Sequence, residues 1–182
     1  MSNNIFHLTK SFVTDNSDNK LYCTKKYISN GIFFIRKSLV TYSPKVAKDF
    51  VENIVPQDED NFNKVLESLI NNKKEKSINV NEFFTCSNQV YHDIYLYSSN
   101  YSFNRIKNCV DSEKVYLGVA KKYIKLANKL NLNVSVVVYY DNYNNINCYY
   151  KLYNKEKECV GVVMGAISPS DAKYKSIKEG VQ

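Results

Sequence analysis

With 182 residues, 44% of them hydrophobic and 14% aromatic, the chain can bury a packed core, which excludes an intrinsically disordered segment. A net charge of +7 and a pI of about 9.0 point to an acidic partner: nucleic acid, a phosphate-rich complex or an acidic protein face. The five cysteines (Cys23, Cys86, Cys109, Cys148 and Cys159) are odd in number and nowhere spaced as CxxC, which argues against a disulfide scaffold and against a metal site.

In chain order, residues 4–14 predict a strand and Asp15-Asn16-Ser17-Asp18 a turn. Leu21 to Ile28 predicts a second strand. Ser29-Asn30-Gly31 is a turn signal, because Asn-Gly reaches positive φ at little cost. Ile32 to Leu39 completes an antiparallel meander. The period then changes. Ser43 is placed to cap a helix with Pro44 in its first position. Val46, Ala47, Phe50, Val51 and Ile54 continue it to Pro56. Asp58-Glu59-Asp60 opens a second helix, whose stripe is Phe62, Val65, Leu66, Leu69 and Ile70. The two form a helical hairpin over 44–72, and the charged stretch Asn71 to Ser77 is the candidate hinge.

Strands resume at Ile78. Val90, His92, Ile94 and Leu96 alternate with Tyr91, Asp93, Tyr95 and Tyr97, a period-2 strand with an aromatic face that could serve a homodimer or a core. Residues 98–112 carry no clear period. A helix over about 117–130 is marked by Val119, Tyr123, Leu126, Ala127 and Leu130. Strands follow at Val134 to Tyr140, Ile146 to Tyr153 and Glu158 to Met164, with turns at 141–145 and 154–157. The fold class is therefore α+β: antiparallel strands, an inserted helical hairpin and a C-terminal helix-strand-strand-strand unit. Residues 1–167 make one domain, or two lobes at 1–76 and 77–167, and 168–182 a polar tail.

Catalytic chemistry finds little purchase. His7-Leu8-Thr9 matches half of the paired His-x-Thr signature of two-histidine phosphoesterases, but His92-Asp93-Ile94 lacks the second hydroxyl. Cys86 and His92 could approach across a hairpin, although a reduced, buried Cys is the commoner state. Five scattered glycines make no phosphate-binding loop. The acids at 58–60 suit a helix N-terminus better than one metal ion. The expectation is a protein that binds and does not catalyse, with no cofactor.

Two basic clusters are the candidate binding surface. Lys121, Lys125 and Lys129 stack along one helix face, with Lys122 beside them. Lys25, Lys26, Arg36 and Lys37 flank the meander, interleaved with Tyr22, Tyr27 and Phe34, an arrangement that suits single-stranded nucleic acid. Only Arg36 and Arg105 are arginines. Lysine is a point charge suited to phosphate, whereas arginine is the usual bidentate reader of guanine, so backbone or protein contact is expected over base readout. Abundant Asn, Lys, Ile and Tyr with scarce Gly, Pro and Arg also follow AT-rich codon usage, which by itself supplies lysines.

MSNNIFHLTKSF lacks the apolar core of a signal peptide, and no run approaches the roughly 18 apolar residues of a membrane span. Reduced cysteines agree with a cytoplasmic protein.

The segment from Val115-Tyr116-Leu117 through Val160-Gly161-Val162-Val163-Met164 resembles the closing helix-plus-three-strands unit of DNA sliding clamps, although Gly165-Ala166-Ile167 replaces the clamp ending. In size and AT-rich composition the whole chain resembles the anti-CRISPR proteins of phages and mobile elements, specifically type II-A Cas9 inhibitors of low-GC Firmicutes. That resemblance implies a non-enzymatic inhibitor of the Cas9-guide RNA complex, or of a similar nucleoprotein effector, that blocks DNA binding or cleavage. Many such inhibitors are acidic mimics of DNA. A basic one would instead contact guide RNA, DNA or acidic parts of the effector. A DNA-associated clamp-like or single-strand-binding factor and a two-histidine phosphoesterase are the alternatives.

Overall fold

The computed structural model describes residues 4–14, 21–46, 59–86, 89–97, 112–140, 142 and 146–167. Its centre is a seven-stranded antiparallel sheet. In chain order the strands are β1 (Phe6–Leu8), β2 (Tyr22–Cys23), β3 (Tyr27–Ser29), β4 (Phe33–Arg36), β5 (Val40–Tyr42), β6 (Glu75–Ile78), β7 (Phe84–Cys86), β8 (Gln89–Tyr97), β9 (Ser112–Ala120), β10 (Asn133–Tyr140), β11 (Ile146–Tyr153), β12 (Cys159–Met164) and β13 (Ala166–Ile167). The helices are α1 (Lys10–Val13), α2 (Pro44–Val46), α3 (Glu59–Asn71) and α4 (Lys121–Lys129). The large sheet runs β2-β3-β4-β12-β11-β10-β6, a four-stranded sheet runs β13-β9-β8-β7, and β1 pairs with β5 in parallel. The architecture is α+β, and its C-terminal helix and three antiparallel strands are α4, β10, β11 and β12.

Both faces of the large sheet are buried, and alternation along its strands assigns each side chain to a face. Phe33 and Ile35 of β4, Val134, Val136 and Val138 of β10, and Cys148, Tyr150 and Leu152 of β11 enter the main core. There they meet Val90, Leu117 and Val119 from the smaller sheet and Tyr123, Leu126 and Ala127 from α4. Phe12 of α1 joins them edge-on to Phe33 and to Tyr123, with ring centroids 5.4 and 5.5 Å apart. The intervening residues Phe34, Val137, Tyr149 and Val162 face the other way, into a second core closed by Leu69 and Ile70 of α3. Phe62 of α3 stacks edge-on against Phe34 at 5.3 Å.

Several sequence expectations are corrected. Residues 4–14 are not one strand: Thr9 ends β1 and caps α1, its hydroxyl accepting from the Phe12 amide at 3.3 Å. The expected strand Leu21 to Ile28 is folded on itself into β2 and β3. Thr24 makes that turn by accepting from the amides of Lys26 and Tyr27 at 3.3 and 3.0 Å. The expected strand over 32–39 ends at Arg36, and a 3-10 turn over Lys37–Leu39 leads to β5. The helix expected from 117 begins at Lys121, because Leu117 and Val119 still pair with β8 as part of β9.

The candidate hinge at 71–77 contains the edge strand β6, paired with β10 from Val137↔Glu75 to Val134↔Ile78. Val65, expected in the α3 stripe, is 56% exposed. The Asn30-Gly31 turn stands where expected, with Gly31 at φ 89°. The buried Asn30 carboxamide closes it, accepting from the amides of Ile32 and Phe33 and donating to the carbonyl of Val13. Ser43 caps α2, accepting from the Val46 amide at 3.3 Å. The first helix of the expected hairpin beyond residue 46, the turn at 15–18, the segment 98–111 and the tail from 168 lie outside the described residues.

Candidate functional site

The fold divides the two expected basic clusters into residues that hold the structure together and residues left on the surface. On α4, residues four apart share a face. Lys125 and Lys129 are exposed there and Lys121 is half-buried. Lys122, one position on, turns the other way. Its Nζ donates to the carbonyls of Phe12 and Ser11 at 2.6 and 3.3 Å, meeting the unpaired C-terminal carbonyls of α1. The same ammonium stands 5.3 Å from the Phe12 ring centroid and 5.4 Å from that of Tyr123. Lys122 therefore docks α1 onto α4.

In the meander, β3 and β4 bring the second cluster to one end of the large sheet. Tyr27 stands opposite Arg36, and the Lys37 amide donates to the carbonyl of Lys26 at 2.8 Å. Lys25, Lys26 and Lys37 are exposed. Arg36 is half-covered and bonds Glu158 at 3.1 Å. Partial burial works against its charge, but the hydrogen bonds and attraction of Glu158 and Tyr27 prevail and raise its pKa. Glu158, exposed, is held below the usual carboxylate range by the Asn154 amide and then by Arg36.

The β11–β12 turn closes against this end. Asn154 and Glu158 bond each other, and Lys157 sits at φ 61°. A cleft of about 380 Å³ opens between this turn, the 3-10 turn after Arg36 and the α4–β10 connection. Lys37 precedes the lining residue Ser38, Lys129 precedes the lining residue Leu130, and Lys155 lines the cleft itself. The cleft thus brings Arg36 of the meander cluster together with Lys155 and with the residues that follow α4, a juxtaposition that sequence spacing did not reveal. A second cleft of about 330 Å³, lined largely by apolar groups including Ile32, Val119, Tyr123 and Met164, lies at the start of α4.

The residues considered for chemistry have different surroundings. His7 is exposed on β1, and Thr9 of the same motif is engaged as the α1 cap. His92 is buried on β8, its Nε2 3.0 Å from the Tyr150 hydroxyl and its ring edge-on to Phe83. Burial pushes the Cys148 thiol up to about 12 and raises those of Cys23 and Cys159, so all three are protonated at neutral pH. The side chain of Cys86 lies outside the described residues, as do those of the strand residues Asp93 to Tyr97. Tyr91, on the face considered for a homodimer, is half-buried, and its ring covers its cross-strand partner Gly118.

Sequence reading missed the buried cation Lys151, 2% exposed on the α3 side of β11. Its Nζ donates to the Asn72 carbonyl at 3.0 Å and pairs with Glu75 at 3.4 Å. Tyr153 donates to the same carboxylate, and Tyr149 donates to the Leu69 carbonyl at 2.9 Å. Burial pushes the Tyr149 hydroxyl up to about 12 and, with Glu75, raises that of Tyr153. These groups receive the carbonyls at the end of α3 and hold that helix on the sheet. The readable signal was alternation: Tyr149, Lys151 and Tyr153 share one face of a strand whose other face, Cys148, Tyr150 and Leu152, is also apolar.

Among the described residues, no group of three His, Cys, Asp or Glu could hold a metal ion, and no helix is long and apolar enough to cross a membrane. Comparison with protein-family models, with curated proteins and with solved structures gave no match.

Proposed function

We propose that this protein is a non-enzymatic inhibitor that binds a nucleic-acid-handling defence effector, with the Cas9-guide RNA complex as its target. One observation supports the reading above the others. One cleft whose wall carries Lys155 is lined by Ser38 and Leu130, the chain neighbours of the exposed Lys37 of the meander and of the exposed Lys129 at the end of α4. Mobile ammonium groups around a concave surface match a phosphate backbone, the commonest anion that a nucleoprotein presents. Lys122 and Lys151 are instead engaged by backbone carbonyls of Phe12 and Asn72.

The test is co-purification with Cas9-guide RNA, with and without nuclease, beside an assay of DNA cleavage. The native protein is expected to be retained and to protect the DNA. Lys37→Glu/Lys129→Glu/Lys155→Glu is expected to abolish both effects while melting at the same temperature. Neither retention nor protection by the native protein would sink the proposal. Binding to free DNA alone, falling steeply with salt, would favour the DNA-associated reading instead.

A further inference from the structure

Resting on the nucleic-acid reading above, we infer that Lys26 and Lys37 form a two-lysine clamp for the phosphodiester backbone. It sits at the end of the β3–β4 hairpin and takes neighbouring phosphates of one strand, whatever their base sequence. β3 and β4 pair as far as Tyr27↔Arg36. One step further, the Lys37 amide donates to the Lys26 carbonyl at 2.8 Å, which sets the two lysines opposite one another. Opposed residues joined in this way have Cα atoms roughly 5.5 Å apart. Like charges so placed repel and cost stability until an anion screens them. Both side chains are exposed, and among the described residues neither ammonium is paired with a carboxylate.

The backbone beneath the pair is fixed before any partner arrives. The Lys26 amide donates to the Thr24 hydroxyl at 3.3 Å, and the Thr24 amide closes the turn on the Tyr27 carbonyl at 2.9 Å. Binding therefore has to order the two lysine stems but not the turn that carries them. The surrounding chain agrees in charge: Leu21 to Val46 holds five cations and neither Asp nor Glu. Codon bias supplies lysines but does not by itself clear every acid from a segment of this length. Arg36 is committed to Glu158 at 3.1 Å and to the Tyr27 hydroxyl. The guanidinium suited to reading guanine is thus occupied, and contact falls to lysines, point charges that suit phosphate and carry no base geometry.

The probes are short fluorescein-labelled strands of RNA and of DNA, each in two unrelated mixed sequences, and a labelled poly-glutamate of the same charge. Fluorescence anisotropy is read over a salt series. The native protein is expected to bind the two sequences of a strand within about twofold of each other, and poly-glutamate more weakly. Lys26→Gln/Lys37→Gln should weaken strand binding about tenfold and lower the salt slope by at least about one. Its melting temperature should not fall, because the substitution relieves a like-charge pair. Lys26→Arg/Lys37→Arg, which keeps both charges, should retain binding. Lys73→Gln/Lys74→Gln removes as much charge from exposed positions before β6, four strands away from β4 in the same sheet. At about 4.8 Å a strand that is roughly 19 Å, beyond the Debye length of about 10 Å at 0.1 M salt, so this variant should lose less than about twofold. Binding of RNA or of DNA that follows this pattern supports the clamp. Equal losses in the two glutamine variants, or a Lys26→Gln/Lys37→Gln variant that binds as the native protein does, overturns it. Tighter binding of poly-glutamate than of any strand overturns it in favour of an acidic protein face. No binding of any strand at low salt overturns it too. In each of these cases the functional reading is decided separately, by whether the native protein is still retained by the Cas9-guide RNA complex.

Discussion

Lys151 Nζ lies 3.0 Å from the carbonyl oxygen of Asn72, so a fully buried cation of β11 receives the chain just as it leaves α3. Glu75, 3.4 Å from the same nitrogen, supplies the countercharge from β6. The side chains of this pair are unequally exposed, 2% for Lys151 and 28% for Glu75. Removing one partner harms most when the survivor cannot reach water. Glu75→Gln is therefore expected to cost about 3 kcal/mol, because Lys151 stays buried without its countercharge. Lys151→Met is expected to cost about 1 kcal/mol, because Glu75 can rehydrate and the methionine retains the stem packing. The double variant should lose less than the sum of the two. Urea denaturation of the three variants measures this, and the reverse ranking would refute it.

A second pair of variants separates the two kinds of lysine on α4. Lys122→Ala removes two hydrogen bonds to the end of α1 and a cation lying over Phe12, and is expected to destabilise by about 1–3 kcal/mol. Lys125→Glu/Lys129→Glu changes only exposed positions and should stay within about 0.5 kcal/mol of the native stability. Thermal melts read both.

Two glycines make an analogous contrast. A methyl group at Gly161 would lie 2.8 Å from the carbonyl oxygen of Phe34, on the neighbouring strand β4. That oxygen cannot yield without disturbing the β4–β12 pairing, so Gly161→Ala is expected to cost about 1–3 kcal/mol. At Gly118 the nearest atom, 2.5 Å away, belongs to the half-buried Tyr91 ring, which can swing aside. Gly118→Ala should therefore cost less than Gly161→Ala when midpoints of urea unfolding are compared.

Stability should fall on the alkaline side. The Cys148 thiol, ordinarily near 9.0, is pushed up to about 12 by burial. The fold thus favours its protonated form. That contribution is complete below pH 9, declines as pH rises and is lost through pH 12. Three pH units at about 1.4 kcal/mol each set its scale on the order of 4 kcal/mol. Tyr149, pushed up to about 12 chiefly by burial, acts in the same direction between pH 10 and 12. Cys148→Ala should flatten the decline between pH 9 and 10, below the range in which the tyrosines ionise. An unchanged slope in that variant would remove Cys148 from the account.

The legibility of the chain followed how local its signals were. The strands at 134–140 and 146–153, the helix around Tyr123 and Leu126, the Asn30-Gly31 turn and the Ser43 cap were readable, because each is encoded by the periodicity or turn chemistry of neighbouring residues. The break at Thr24–Lys26 escaped notice because a threonine that turns the chain looks like one that suits a strand. Leu117 and Val119 were ascribed to the helix because apolar residues two and four positions before its start extend its stripe as well as they suit a strand. Only pairing with β8 decides between the two.

The basic clusters were visible as charges but not as a surface. By itself the sequence determined an α+β protein with lysine-rich segments at 25–37 and 121–129, since composition and periodicity are properties of neighbouring residues. Tertiary structure alone decided that Lys122 and Lys151 are held in place by backbone carbonyls, and that Ser38, Leu130 and Lys155, from three separate segments, line one cleft. The physical reason is that a lysine's role depends on which carbonyls and carboxylates the folded chain brings within about 3 Å of its ammonium group, and those come from residues tens of positions away.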